Sequence, residues 1–163
     1  MTPTRLSRLN TGDFDAIVLA KAGLKRAGLF EPARDFDLDP MDFTPATGQG
    51  QLAIECRADD SLPIEDTVLS SAIDRRLAVV ERYFARELNF GCHTPAAVWA
   101  RVNGRQISAV IDVLKHDGSE SLKIEVPVPL AGTEADLQEA MRQAEERGIR
   151  AFTALVGADT GAS

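Results

Sequence analysis

The stretch "AAVWARVNGRQISAVIDVLKHDGSESLKIEVPVP", residues 96–129, decides the fold. Val98, Ala100 and Val102 alternate with Trp99 and Arg101, a period of two that sends the two sets to opposite faces of a strand. "VNGR" (102–105) then supplies an Asn-Gly hairpin turn, after which Ile107, Ala109, Ile111 and Val113 resume the alternation. "HDGS" (116–119) supplies an Asp-Gly turn, and Leu122, Ile124, Val126 and Val128 make a third strand. The pattern predicts an antiparallel three-stranded meander with one apolar face. Such a face needs a cover.

Helical periods on both sides supply it. Ile73, Leu77, Val80, Phe84 and Leu88 recur at steps of three or four, which predicts a helix from about Asp66 to Leu88. Arg75, Arg82 and Arg86 lie on its opposite face, and Leu62 and Pro63 mark a break before it. Downstream, Thr133 is a plausible N-cap, and Leu137, Ala140, Met141 and Ala144 form a stripe that ends before Gly148. The short apolar run "IRAFTALV" (149–156) follows. Residues 68–163 are therefore expected to form an α+β domain, a three-stranded antiparallel sheet covered by helices.

Residues 1–67 read differently. "TRLSRL" (4–9) is a short amphipathic helix closed by "NTGD" around Gly12, and "DAIVLA" (15–20) suits a buried strand. "AKAGLKRAGL" (20–29) is helical, so strand and helix would pack in the α/β manner. The Pro- and Asp-rich segment 31–50 is connecting chain that ends in the loop "TPATGQG" (44–50). "QLAIECR" (51–57) is a second strand candidate, whose alternation of Leu52, Ile54 and Cys56 assigns Cys56 to a core. Two isolated strands and short helices cannot bury both faces of a sheet. This segment is expected to pair with another chain or to be part of a larger α/β domain.

Composition narrows the function classes. The 163 residues carry 44% hydrophobic and 26% charged side chains, and no apolar run long enough to span a bilayer or serve as a signal peptide. A cytoplasmic location is expected, with no membrane partner. The net charge of −7 argues against a nucleic-acid partner. Cys56 and Cys92 alone provide neither a disulfide framework nor a zinc site, and no metal is expected. Arg5, Arg8, Lys21, Lys25 and Arg26 crowd into the first 26 residues, either as a solvated face or as a site for a small polyanion.

"NFGCHTP" (89–95) places Cys92 in a glycine-bearing loop after the long helix, beside His93. On its own the loop leaves open a structural cysteine or a reactive one. Adjacent Cys and His are poorly spaced for one metal.

Taken in order, "TRLSRLNTGDFDAIVLAKAGLKRAGL", "TPATGQGQLAIECR" and "VERYFARELNFGCHTPAA" resemble the hydroxymethylbilane synthases (porphobilinogen deaminases) over essentially the whole chain. The resemblance implies a C-terminal portion of that fold: part of a periplasmic-binding-protein-like α/β region, then the α+β domain. It implies tetrapyrrole biosynthesis, in which porphobilinogen units condense on a dipyrromethane cofactor with release of ammonia. Cys92 matches the cysteine that holds this cofactor by a thioether, and Gly91 lies next to it. A thiolate is the soft nucleophile needed to capture the electrophilic carbon left when porphobilinogen loses ammonia. Arg5 and Arg26 match arginines that face cofactor and substrate, where planar guanidinium groups suit the acetate and propionate carboxylates of a pyrrole polyanion. Gly48, Gln49 and Gly50 match a hinge-like substrate loop, and Arg82 a structural or interdomain arginine.

The resemblance also sets limits. The family's catalytic aspartate precedes the matched region, so no catalytic carboxylate is identified here, and an N-terminal partner chain or a homo-oligomer is expected to complete the protein. Thr47 stands where the family has valine, Phe90 where it has glycine, and Asp74 where it has threonine. His93 stands in place of glutamine, Ala96 in place of isoleucine, and Lys21 in place of an apolar residue. A non-catalytic pyrrole-binding or protein-interaction module is the alternative.

Overall fold

A computed structural model describes residues 2–52, 54–60, 71–91 and 93–159. These fall into two compact units, residues 1–39 and 40–163.

In the second unit the meander forms as read. Strands β1 (Ala96–Asn103), β2 (Gln106–Leu114) and β3 (Ser121–Pro129) make an antiparallel sheet in the order β1-β2-β3. The register aligns Val98, Ile111 and Ile124 in one row and Ala100, Ala109 and Val126 in the next, so the apolar residues share a face. The first turn is centred one residue later than the Asn-Gly reading. Asn103 pairs with Gln106, leaving Gly104 and Arg105 in the loop. Of these two residues only Gly104 has positive φ, 62°, as a type II′ turn requires at its first central position.

Three helices cover the apolar face: α3 (Ala72–Glu87), α4 (Glu134–Glu146) and α5 (Ile149–Asp159). Helix α3 packs on β1, α4 on β3, and α5 on β2 and β3. Val80, Phe84, Leu88, Leu137, Ala140, Met141 and Ala144 are all buried in the resulting core. Each fully buried large aliphatic or aromatic side chain contributes about 1.5–3 kcal/mol, so this layer carries the unit's stability. The predicted stripe of α3 holds from Leu77 to Leu88, Leu77 packing against the core, and fails at one residue. Ile73, in the first turn, is exposed.

The helix ends explain local residue choices. Ser71 is the N-cap of α3, accepting from the Asp74 N–H at 3.0 Å while its hydroxyl donates to the Asp74 carboxylate at 2.6 Å. The expected residues 66–70 of this helix lie outside the described residues. Thr133 begins α4 with its N–H and hydroxyl both donating to Asp136 Oδ2, at 2.6 and 2.9 Å. These bonds, the backbone one first, hold the Asp136 carboxyl below its ordinary range.

At its C-terminus α3 closes with a Schellman turn. The Phe90 N–H donates to the Ala85 carbonyl at 2.8 Å and the Asn89 N–H to that of Arg86 at 3.0 Å. Asn89 takes the left-handed position, φ 59°, and the Phe90 side chain packs against the core beside Ala85. That accounts for a large apolar residue in front of the cysteine loop.

The first unit holds α1 (Thr2–Asn10) and α2 (Lys21–Arg26). Helix α2 is shorter than its pattern because Gly28, φ 68°, ends it, with the Leu29 N–H returning to the Leu24 carbonyl at 2.9 Å. Neither strand candidate of the first 60 residues forms a ladder among the described residues, and this corrects the reading of 15–20 and 51–57. Val18 is 62% exposed, Leu52 84% and Ile54 59%, and Cys56, expected in a core, is exposed. A β pattern satisfies its backbone only when another strand lies beside it.

Replacing Asn89 by Gly removes a left-handed side chain and is expected to stabilise the protein by up to about 1 kcal/mol. Phe90→Gly removes the apolar contact and is expected to cost roughly 1–2 kcal/mol. Urea denaturation should show the two midpoints moving in opposite directions.

Candidate functional site

The basic residues of the first unit sort into two groups. Arg8 pairs with Asp13 at 3.0 Å, Lys21 with Asp37 at 2.5 Å, and Arg34 with Asp35 at 2.8 Å and Glu31 at 3.6 Å. The Arg34 guanidinium, followed by the Glu31 N–H, holds the Asp35 carboxyl below its usual value. Lys25 lies over the Phe30 ring, 5.5 Å from its centroid. Arg5, on α1, and Arg26, at the end of α2, are exposed and have no acidic partner among the described residues. A groove lined by Leu6, Asn10, Leu29 and Arg34 includes neither.

In the second unit, residues 41–51 are strapped to the sheet. Lys123 donates to the carbonyl of Met41 at 2.7 Å and pairs with Asp112 at 2.9 Å. Asp112, buried on β2, also accepts from the Thr44 hydroxyl at 2.8 Å. Asp112 and Lys123 are cross-strand neighbours, so the strap is anchored to the face opposite the helices. Next, Thr47 Oγ1 accepts from the Val98 N–H at 3.0 Å.

Gly48–Gly50 follow as a tight double turn. The Gln49 N–H donates to the Ala46 carbonyl at 2.9 Å and the Gln51 N–H to that of Gly48 at 3.0 Å. Gly48 and Gly50 both have left-handed φ, 74° and 86°, which explains two glycines here. Gln49 and Gly50 are exposed.

The residue that organises this loop was not singled out in the sequence. Glu81, on α3, is only 7% exposed. Its Oε2 accepts from the Gly48 N–H at 2.8 Å and from the Gln51 side-chain amide at 3.4 Å, and its Oε1 accepts from the Ala100 N–H at 3.0 Å. One carboxylate thus joins the loop, the long helix and β1. The signal available was position: Glu81 falls one residue after Val80 on the buried stripe, where a charge needs partners.

The cysteine-bearing loop runs into the same strand. The Gly91 N–H donates to Thr94 Oγ1 at 3.1 Å, and the Leu114 N–H to the Pro95 carbonyl at 2.9 Å. Gly91 and His93 are exposed. Cys92 lies outside the described residues. Arg82 is exposed on α3. Among the described residues no group of His, Cys, Asp or Glu could hold a metal ion, and no helix is long and apolar enough to cross a membrane.

Residues 2–65 match the family described as "Porphobilinogen deaminase, dipyromethane cofactor binding domain". The porphobilinogen deaminase of Corynebacterium diphtheriae is 38% identical over 142 residues, 85% of this chain and 47% of that protein. The enzyme of that name from Paraburkholderia phymatum is 36% identical over 167 residues, 94% of this chain and 49% of that protein.

Over most of its length the chain is similar to proteins named porphobilinogen deaminase. It spans about half the length of the curated relatives it matches. Residues 2–65 are thereby assigned to the family's dipyrromethane-binding domain. They hold Arg5 and Arg26, the two arginines of the first unit without an acidic partner, and two cationic groups left free suit a ligand rich in carboxylates. Of the expected residues of this deaminase family, Gly48, Gln49, Gly50 and Gly91 fall in the second unit, in loops attached to one strand.

Lys123→Met removes the strap's cationic anchor and leaves Asp112 without a counter-charge. We expect a loss of about 1–3 kcal/mol. Limited proteolysis should show faster cleavage within residues 40–46.

Proposed function

We propose that this chain works in tetrapyrrole biosynthesis as the part of a hydroxymethylbilane synthase that carries the dipyrromethane and helps hold the growing pyrrole chain. The observation that carries this is the sorting of charge in residues 2–39. Arg8 and Arg34 are neutralised by neighbouring acids, whereas Arg5 and Arg26 are not. They are the two arginines that the family resemblance assigns to cofactor and substrate.

In this reading Cys92 is the attachment point. Its sulfur forms a C–S bond to the aminomethyl carbon of a porphobilinogen unit, the C–N bond breaks, and the thiol proton leaves with the ammonia. When bound, the dipyrromethane supplies the pyrrole carbon to which further units are joined. Arg5 and Arg26 bind its acetate and propionate groups, each by charge-assisted hydrogen bonds worth about 1.5–3 kcal/mol. Gly48–Gly50 present backbone and the Gln49 amide to the substrate, and Gly91 is itself uncrowded: a Cβ placed there meets nothing nearer than Thr94 Oγ1 at 3.9 Å beyond its chain neighbours. Condensation itself requires groups supplied by the remaining half of the family's length, so the chain alone has no turnover. The exposed Val18, Leu52 and Ile54 support a partner against these segments.

Mass spectrometry of the intact protein, after incubation with porphobilinogen and the N-terminal half of a relative, tests the proposal. The expected result is added mass of two pyrrole units that Cys92→Ser abolishes. An unmodified protein under all conditions would reject the carrier role and favour a non-catalytic interaction module. Arg5→Gln and Arg26→Gln are each expected to raise the porphobilinogen concentration needed for half-maximal modification by about ten- to a hundredfold, the equivalent of those hydrogen bonds. Their melting temperatures should stay unchanged, because neither guanidinium has an acidic partner among the described residues.

A further inference from the structure

We infer that Glu81 and Thr47 are positioning residues that seat the loop Thr47–Gln51 on the open edge of β1, alongside the loop that carries Cys92. The functional half of this inference rests on the proposed pyrrole-carrier reading, and the structural half does not.

Strand β1 is an edge strand, paired only with β2. Its alternate N–H groups, those of Ala96, Val98 and Ala100, point away from β2 and need acceptors. Ala96 finds the Thr94 carbonyl at 2.8 Å, Val98 the Thr47 hydroxyl at 3.0 Å, and Ala100 the Glu81 carboxylate at 3.0 Å. The acceptors therefore come in a row along one edge: first the cysteine-bearing loop, then the Gly-Gln-Gly loop, then the helix. Successive acceptors are spaced by two strand residues, roughly 7 Å. The two loops that the functional reading needs are set side by side by the strand.

The contribution of Thr47 is particular to this sequence. A valine, which the family resemblance puts at this position, has no oxygen and would leave the Val98 N–H without this acceptor. Val98 is fully buried, so water does not readily replace it. Glu81 then fixes the next residue of the loop through the Gly48 N–H. Just past Gln51, Leu52 and Ile54 are exposed. The loop is held as part of the sheet domain up to Gln51, and it turns outward with Gln49 and Gly50 free to meet a ligand.

The test compares Thr47→Val, Thr47→Ser and Glu81→Gln by amide hydrogen exchange. Thr47→Val is expected to speed exchange at Val98 at least tenfold, with the central-strand amide of Ile111 unchanged, and Thr47→Ser is expected to restore protection. Glu81→Gln, which exchanges one acceptor for a donor, should deprotect Gly48 or Ala100 in the same local manner. Unchanged exchange at Val98 in Thr47→Val, or an equal rise at Ile111, would overturn the seating role. In the porphobilinogen modification assay, Glu81→Gln should lower the maximal rate at Cys92 severalfold while the melting temperature holds and Thr47→Ser behaves as the parent. A melting temperature that falls with no change in rate per folded molecule would make Glu81 merely structural. A parent chain that is never modified would reject the carrier reading, and the exchange measurements would still decide the seating.

Discussion

A sheet of three strands has two open edges, and the treatment of the β1 edge sets the arrangement of everything around it. Without another strand, the buried N–H groups of Val98 and Ala100 require acceptors, and each unmet one costs about 1–3 kcal/mol. A buried carboxylate has the converse requirement, since it is tolerable only with donors around it. Glu81 meets both demands at once by accepting from Ala100, Gly48 and Gln51. The loop lies where it does because the strand edge and the helix carboxylate each lack a partner until it arrives. The β3 edge is closed by other means. Pro127 and Pro129 remove N–H groups, and Arg147 donates to the Glu125 carbonyl at 2.6 Å.

These differences explain which parts of the fold were legible in the sequence. The inner face of the meander was readable residue by residue, because a period of two is local and the core it faces tolerates only apolar side chains. The stripe of α4 was readable for the same reason, as was that of α3 from Leu77 onward, and only Ile73, in the first turn, is exposed. The apolar run at 15–20 and the alternation at 51–57 form no strand among the described residues. Their pattern records an affinity for a neighbouring strand, which is a property of the pair and cannot be satisfied by either segment by itself. The Gly104–Arg105 turn was misplaced by one residue because Asn-Gly suits a type I′ loop, whereas the register set by the flanking apolar rows selects the next pair.

The candidate site was legible in a different way. Arg5, Arg26 and the Gly48–Gly50 loop came from motif resemblance; composition offered only a basic cluster. The structure adds what no motif contains, namely which cations are already spent on local acids. Glu81 went unnoticed because a glutamate in a charged helix resembles a solvated one unless its angular position is weighed. It follows Val80 and precedes Tyr83 and Phe84, all buried. Its three donors come from positions 19, 30 and 33 residues away, separations at which sequence patterns carry little information.

Four of the six residues that depart from the family pattern make identifiable local contacts. Thr47 supplies an acceptor to β1, Asp74 bonds with the N-cap of α3, Phe90 fills the apolar position of that helix's closing turn, and Lys21 pairs with Asp37. None of these roles requires a ligand, and three of the four act on the sheet domain and its attached loops. At three of the four positions the family residue could not make the same contact: valine has no acceptor, glycine no side chain, and an apolar residue no charge; a threonine at position 74 could still bond with Ser71. Substitutions scattered by relaxed constraint would leave most such groups unpaired at the surface. Thr47 and Phe90 tighten the seating of the two loops, one ending at Gln51 and the other beginning at Gly91, on a scaffold whose core is complete without those loops. That arrangement is the one the proposed carrier role would require, because a platform must stay fixed while a bound chain changes length.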